Sequence, residues 1–147
     1  MRLTSLRLAI GVAVLAAAAA PAAASAALSV NVGAEAPLLN GATAFVPVNI
    51  SCSPPSIYAL PPSTSLSVTL QEAVGKAFAS GSAFTTFVCD GTVHFLSVPV
   101  SPSSFTGASF RQGAAVVTAS ASVFSFPVFE SVGVGPQSIQ LKKAKSV

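Results

Sequence analysis

Residues 84–100 read Phe-Thr-Thr-Phe-Val-Cys-Asp-Gly-Thr-Val-His-Phe-Leu-Ser-Val-Pro-Val. Asp90-Gly91 lies between two alternating runs, and that dipeptide is the strongest short-range signal for a hairpin. A two-residue type I′ turn there sets a register. Cys89 faces Thr92, Phe87 faces His94 and Thr85 faces Leu96 on one side of the ribbon. Val88 with Val93, and Thr86 with Phe95, point to the other side. Alternation with a period of two means strands that bury one face.

The same alternation extends in both directions along the chain. Leu28, Val30 and Val32 mark a first strand, and Val46, Val48, Ile50 and Cys52 a second. Pro47 cannot donate to a ladder, which places that second strand at an edge or at a bulge. Leu66, Val68 and Leu70 alternate with Ser and Thr in the cleanest strand of the chain. A short strand near Phe78 comes next, then Phe84 to Cys89, Thr92 to Val100, and a long run from Gly113 to Phe126. Ile139 and Leu141 mark a last one. Seven or eight short strands separated by Gly, Pro and Ser turns predict an all-β, antiparallel sandwich. A closed barrel of the same strands is the alternative.

Ahead of the strands lies an export signal. Arg2 and Arg7 precede the charge-free run Leu8 to Ala20, Pro21 breaks it, and Ala24-Ser25-Ala26 offers a small-x-small cleavage site. Residues 1–26 are read as a cleaved signal peptide, 27–141 as one domain and 142–147 as a basic tail. An uncleaved anchor is the competing reading, since Leu8 to Leu28 approaches the roughly 20 residues of a spanning helix. Alanine-rich composition and Pro21 favour cleavage. No later segment is long and apolar enough to span a bilayer, so the protein is expected to be secreted.

Cleavage changes the charge balance. The whole chain carries a formal +3, but Arg2 and Arg7 leave with the signal. Five basic residues, three of them among the last six positions, then face Glu35, Glu72, Asp90 and Glu130. A nucleic-acid surface needs several clustered Lys or Arg, so that partner class is excluded. At 52% apolar residues the chain can offset its ordering entropy and fold.

Secretion also makes Cys52 and Cys89 candidates for a bridge. Cys52 is in phase with Val46, Val48 and Ile50, and Cys89 shares a face with His94, Leu96 and Val98. Both are expected to face the core, joined as a disulfide. Two distant Cys and one His do not make a closed zinc site, and no Cys-x-x-Cys is present. No metal or cofactor is implied.

Catalytic chemistry has little to work with. His94 is the lone histidine, and its expected role is a neutral, hydrogen-bonded imidazole at the edge of the core. Asp90 serves its turn. Glu35, Glu72 and Glu130 read as solvated surface carboxylates, and no serine sits in a Gly-x-Ser-x-Gly elbow. The chain is read as a non-enzyme.

Ten Phe and no Trp remain to be placed. A two-layer sandwich buries one face of each sheet, so Val88, Val93 and Phe95 are expected to lie outside. With Phe124, Phe126 and Phe129 they form the expected contact surface. Two functions compete: a secreted interaction or structural module meeting a protein or cell-envelope component, and a small-ligand carrier with a Phe-lined cleft between the sheets.

The combination of Cys52-Ser53-Pro54 after a strand, Leu66 to Gln71 ending in Gln, Cys89-Asp90-Gly91-Thr92 with His94, and Gly113-Ala114 resembles a group of small secreted actinobacterial proteins. The resemblance covers most of Val46 to Ala121. It implies an immunoglobulin-like sandwich with one disulfide, and brings no activity or binding residues. The double-proline segment and the chain after Phe126 depart from that pattern.

Overall fold

The computed structural model describes residues 27–40, 42–53 and 61–144. The expected signal peptide, the Pro54-Pro55 and Tyr58 positions and Lys145 lie outside them. Alternating apolar and hydroxyl side chains form eight strands: β1 (Leu28–Val32), β2 (Glu35–Leu39), β3 (Thr43–Cys52), β4 (Ser63–Val74), β5 (Ala77–Thr85), β6 (Val93–Val100), β7 (Gly113–Ser125) and β8 (Val128–Lys143). No helix occurs among the described residues.

Every ladder is antiparallel except β2 with β8, where Glu35 to Leu38 run parallel to Gln140 to Lys143. The sheet runs β1-β3-β2-β8-β7-β4-β5, with β6 on the second edge of β3. β1 also lies against β7 and β8 without pairing, as β6 does against β4 and β5. The sheet therefore doubles over, with β1, β3 and β6 facing β8, β7, β4 and β5. Val46, Val48, Ile50, Leu66, Val68, Leu70, Val98, Val117 and Ile139 fill the space between the layers. Each comes from an alternating strand, so one period-two pattern supplies both walls of the core.

The switch between layers explains Pro47. β3 is paired on both edges and its register with β6 runs through Pro47 without a shift, so neither the edge strand nor the bulge expected from Pro47 is found there. Along one edge β1 covers Val48 to Cys52, the chain breaks at Gly33-Ala34, and β2 resumes at Thr43 and Ala44. Pro47 sits opposite that break, its carbonyl accepting the Gly33 N–H at 2.9 Å. The missing donor falls where the neighbour is leaving for β8, so no ladder bond is lost.

Two other expectations are corrected. The Asp90-Gly91 turn exists, and Gly91 has φ 84°, but its arms do not form a hairpin. β5 ends at Thr85 and pairs with β4, whereas β6 pairs with β3. Only Asn40 among the described non-glycine residues has positive φ, so Asp90 lacks the conformation a type I′ turn requires. Other partners take the backbone groups a hairpin would have paired. The Thr64 hydroxyl accepts the Phe87 N–H at 3.1 Å and donates to the Phe87 carbonyl at 2.6 Å, and the Gly91 N–H donates to Cys52 O at 2.9 Å. Residues 86–92 thus cross from one layer to the other, with Phe87 inside and Val88 outside.

The C-terminal strand is longer than Ile139 and Leu141 indicate. β8 spans 16 residues and includes Lys142 and Lys143, which were expected in the tail. Lys142 forms an ion pair with Glu35 on β2. Gly133, Gly135 and Pro136 dilute its alternation, and the β7–β8 register shifts between Val117 and Ala119. Gly135 has φ 100°, and a Cβ there would stand 2.5 Å from the Val117 carbonyl.

Candidate functional site

The strand directions sort chemistry to the two ends of the fold. The C-termini of β3, β5 and β7 and the N-termini of β1, β4, β6 and β8 share one end. The other carries the Gly75-Lys76 turn, Arg111, Lys142 and Lys143. Of the eight charged side chains among the described residues, only Asp90 and Glu130 lie towards the first end. That end holds seven of the eleven exposed large apolar side chains among the described residues, with Leu39, Phe78, Phe105 and Val116 towards the other, so it is the candidate surface.

Its framework is a latch around Cys89. Cys52 and Cys89 form the expected disulfide, with Cα atoms 4.8 Å apart, although Cys89 arrives on the crossing segment and not on the hairpin arm expected for it. One residue on, Asp90 Oδ1 accepts the Thr92 N–H at 3.0 Å, the Thr92 hydroxyl at 2.7 Å and His94 Nε2 at 2.8 Å. The first of these is the Asx turn expected of Asp90. An ionised carboxylate only accepts, so Nε2 of His94 carries the proton of that bond. Thr92 Oγ1 lies 3.1 Å from the same nitrogen. A nucleophile relay uses both ring nitrogens, one toward the acid and one toward the hydroxyl. Here acid and hydroxyl meet a single nitrogen, and the cluster fixes a turn.

Bonds from the Thr92 hydroxyl, then His94, then the Thr92 N–H lower the Asp90 carboxyl from 3.8 to about 2. A carboxyl depressed on folding contributes stability above its unfolded pKa and loses it as pH falls through the folded one. The latch is therefore expected to hold to below pH 3.8 and to release as pH drops through about 2. NMR titration of the Asp90 carboxyl checks this, with Thr92→Val raising the midpoint. A wild-type midpoint at the ordinary carboxylate value would refute the latch.

Around this frame, the expected contact residues are all exposed but do not form one patch. Phe124 and Phe129 pair across β7 and β8, and Phe126, 77% exposed, caps the tip between them. Phe95, 78% exposed, and Val93 lie on the outer face of β6 in the other layer, and Val88 on the crossing segment. Sequence reasoning missed Phe84, 77% exposed, Phe78 and Phe105, which are also outside. It also misplaced Glu72. That carboxylate is 5% exposed, and its Oε2 accepts the Arg111 N–H at 2.7 Å, tying the β6–β7 connection to β4.

These features define a disulfide-latched, all-β protein with an aromatic end. Comparison with protein-family models, with curated proteins and with solved structures finds no match to the chain. No helix among the described residues is long and apolar enough to cross a membrane.

Proposed function

We propose that the chain is a secreted, non-enzymatic interaction module with an immunoglobulin-like sandwich, released by cleavage after Ala26. The single observation that carries the contact role is the β7–β8 tip. Phe124, Phe126 and Phe129 stand exposed there, at the end from which most charges are withdrawn. Exposed aromatic clusters of this kind act as contact sites, because covering them removes apolar surface from water. The partner is a protein or cell-envelope component that presents an apolar surface.

The layering supports the immunoglobulin-like reading: β1-β3-β6 face β8-β7-β4-β5, with β2 passing from β3 to a parallel pairing with β8. The disulfide supports folding outside a reducing cytosol.

The test uses purified mature protein and envelope fractions from the source cells. Wild type is expected to sediment with the envelope and to brighten a hydrophobic dye. The variant Phe124→Ser, Phe126→Ser, Phe129→Ser stays in the supernatant with an unchanged far-ultraviolet spectrum. If wild type and variant distribute alike, the tip is not the contact.

A further inference from the structure

β5 has one edge that no strand among the described residues pairs with, and a sequence that reads the same in both directions about its centre. Residues 78–84 are Phe-Ala-Ser-Gly-Ser-Ala-Phe, centred on Gly81. Among the described residues the strand pairs with β4 alone. It carries neither Pro nor charge, the devices with which proteins guard an exposed edge.

The directions of the backbone groups follow from one bond. Ser103 N–H donates to the Ser80 carbonyl at 2.7 Å, from outside the β4 ladder. Successive residues of a strand address opposite neighbours. Phe78, Ser80, Ser82 and Phe84 therefore aim their N–H and C=O groups away from β4. Their side chains share the outer face, with Phe78 57% and Phe84 77% exposed.

We infer that β5 pairs antiparallel with β5 of a second copy about a twofold axis at Gly81, joining two sheets edge to edge. In that register Ser80 meets Ser82 of the second copy, and Phe78 meets its Phe84. Like residues oppose like at three successive steps either side of the axis, which is the self-complementarity an isologous contact requires. The outward N–H and C=O groups exchange bonds in pairs. Two Phe–Phe cross-strand pairs cover the rings that a single copy leaves in water, and aromatic cross-strand pairs are favourable. Charge does not oppose the contact. Neighbouring outer positions on β4 and β7 are Ser65, Ser67, Thr69, Thr118, Ser120 and Ser122. Lys76 falls beside Thr86 of the second copy, not beside another lysine.

Gly81 has a role within each copy, because a Cβ there would run into the Ser101 carbonyl. Nothing within one copy requires Phe, Ala and Ser to repeat on both sides of it. Among the described residues Ser103 stands in the way, its N–H occupying the Ser80 carbonyl. Pairing replaces its N–H with that of Ser82 from the second copy. The connection can give way at Ser103 while Phe110 and Arg111 hold its far end in the fold.

Sedimentation of the mature protein over a micromolar to millimolar series tests the inference. Wild type is expected to pass from monomer to dimer, and Ser82→Pro to remain monomeric with an unchanged melting temperature. The Ser82 N–H points away from β4, so proline removes only the intermolecular donor. Ser82→Lys supplies the same block through like charge should proline disturb the strand. Phe78→Cys with Phe84→Cys in one chain is expected to give a covalent dimer on oxidation, since each cysteine lies opposite its partner in the other copy. The variant altered at Phe124, Phe126 and Phe129 should dimerise like wild type, which separates this contact from the envelope reading. A wild type monomeric throughout the series, or a Ser82→Pro protein that associates equally well, overturns the inference.

Discussion

Replacing Cys52 and Cys89 with alanine is expected to lower the unfolding free energy by about 4 kcal/mol. The two are 37 positions apart, and closing a loop of that length removes about that much chain entropy from the unfolded state. Domains of this size are held by roughly 5–15 kcal/mol in all, so the variant should be marginal. The bridge also sits at a segment that belongs to no strand. Residues 86–92 have no ladder among the described residues, and they are tied by the Thr64 hydroxyl, the Gly91 N–H to Cys52 O, the Asp90–His94 bond and the disulfide. Urea titration checks the size of the loss, which should appear as a lower midpoint. The Asp90 carboxyl gives a second, local readout. Once Cys89 no longer holds the turn, its titration should move up from about 2 toward 3.8. A loss below about 1 kcal/mol would mean that Phe87 and Thr64 suffice to fix the crossing, since one hydrogen-bonded contact contributes about that much.

Cys89 was placed through a hairpin register that the fold does not have, whereas Cys52 was legible because it extends the apolar phase of Val46, Val48 and Ile50, and phase is a local property. Val46 to Cys52 and Leu66 to Leu70 show it without interruption, and both strands lie where the alternation puts them. Strand β2 offers only Ala36 and Leu38 in phase, between Glu35 and Pro37. Its defining contact is with β8, about a hundred residues away in the chain, and no local pattern announces it. The Asp90-Gly91 signal fails for a related reason. A turn dipeptide reports that the chain bends, but not which strands its arms then choose. Here Phe87 and Cys89 gain more by entering the gap between layers than by pairing with β6.

Exposure of the phenylalanines divides in the same way. Val93, Phe95 and Val88 follow from knowing which face a cysteine or a valine buries. Phe84 and Phe78 lie on the outer face of β5 while Ala79 and Gly81 turn inward, and which face of that strand is covered is set by the whole topology. Glu72 reads as a surface carboxylate because no sequence pattern places an N–H from residue 111 beside it. It lies on the inner face of β4, opposite Ala79, where only that partner makes its burial tolerable.

That buried tie leads to the second large effect. Phe110→Ala is expected to destabilise the protein by about 3–5 kcal/mol, the usual range for emptying a fully buried phenylalanine site. Phe110 is 1% exposed and is the largest fully buried side chain among the described residues, yet it belongs to no strand. It enters the core from the connection between β6 and β7, beside the Arg111 N–H that Glu72 accepts. Phe105, in the same connection, is 99% exposed. Phe105→Ala makes the same chemical change five positions away and should stay within about 0.5 kcal/mol of wild type. Comparing the two isolates burial from every general effect of losing a ring. Glu72→Leu removes the acceptor for a part-buried N–H and should cost about 1–3 kcal/mol, whereas Glu72→Gln keeps an acceptor and should cost less. If Phe110 and Glu72 anchor the connection as one unit, the double variant loses less than the sum of the singles. Additive losses would mean that ring and carboxylate hold the chain independently. Equal losses for Phe110→Ala and Phe105→Ala would show that the connection is not anchored through the core at all.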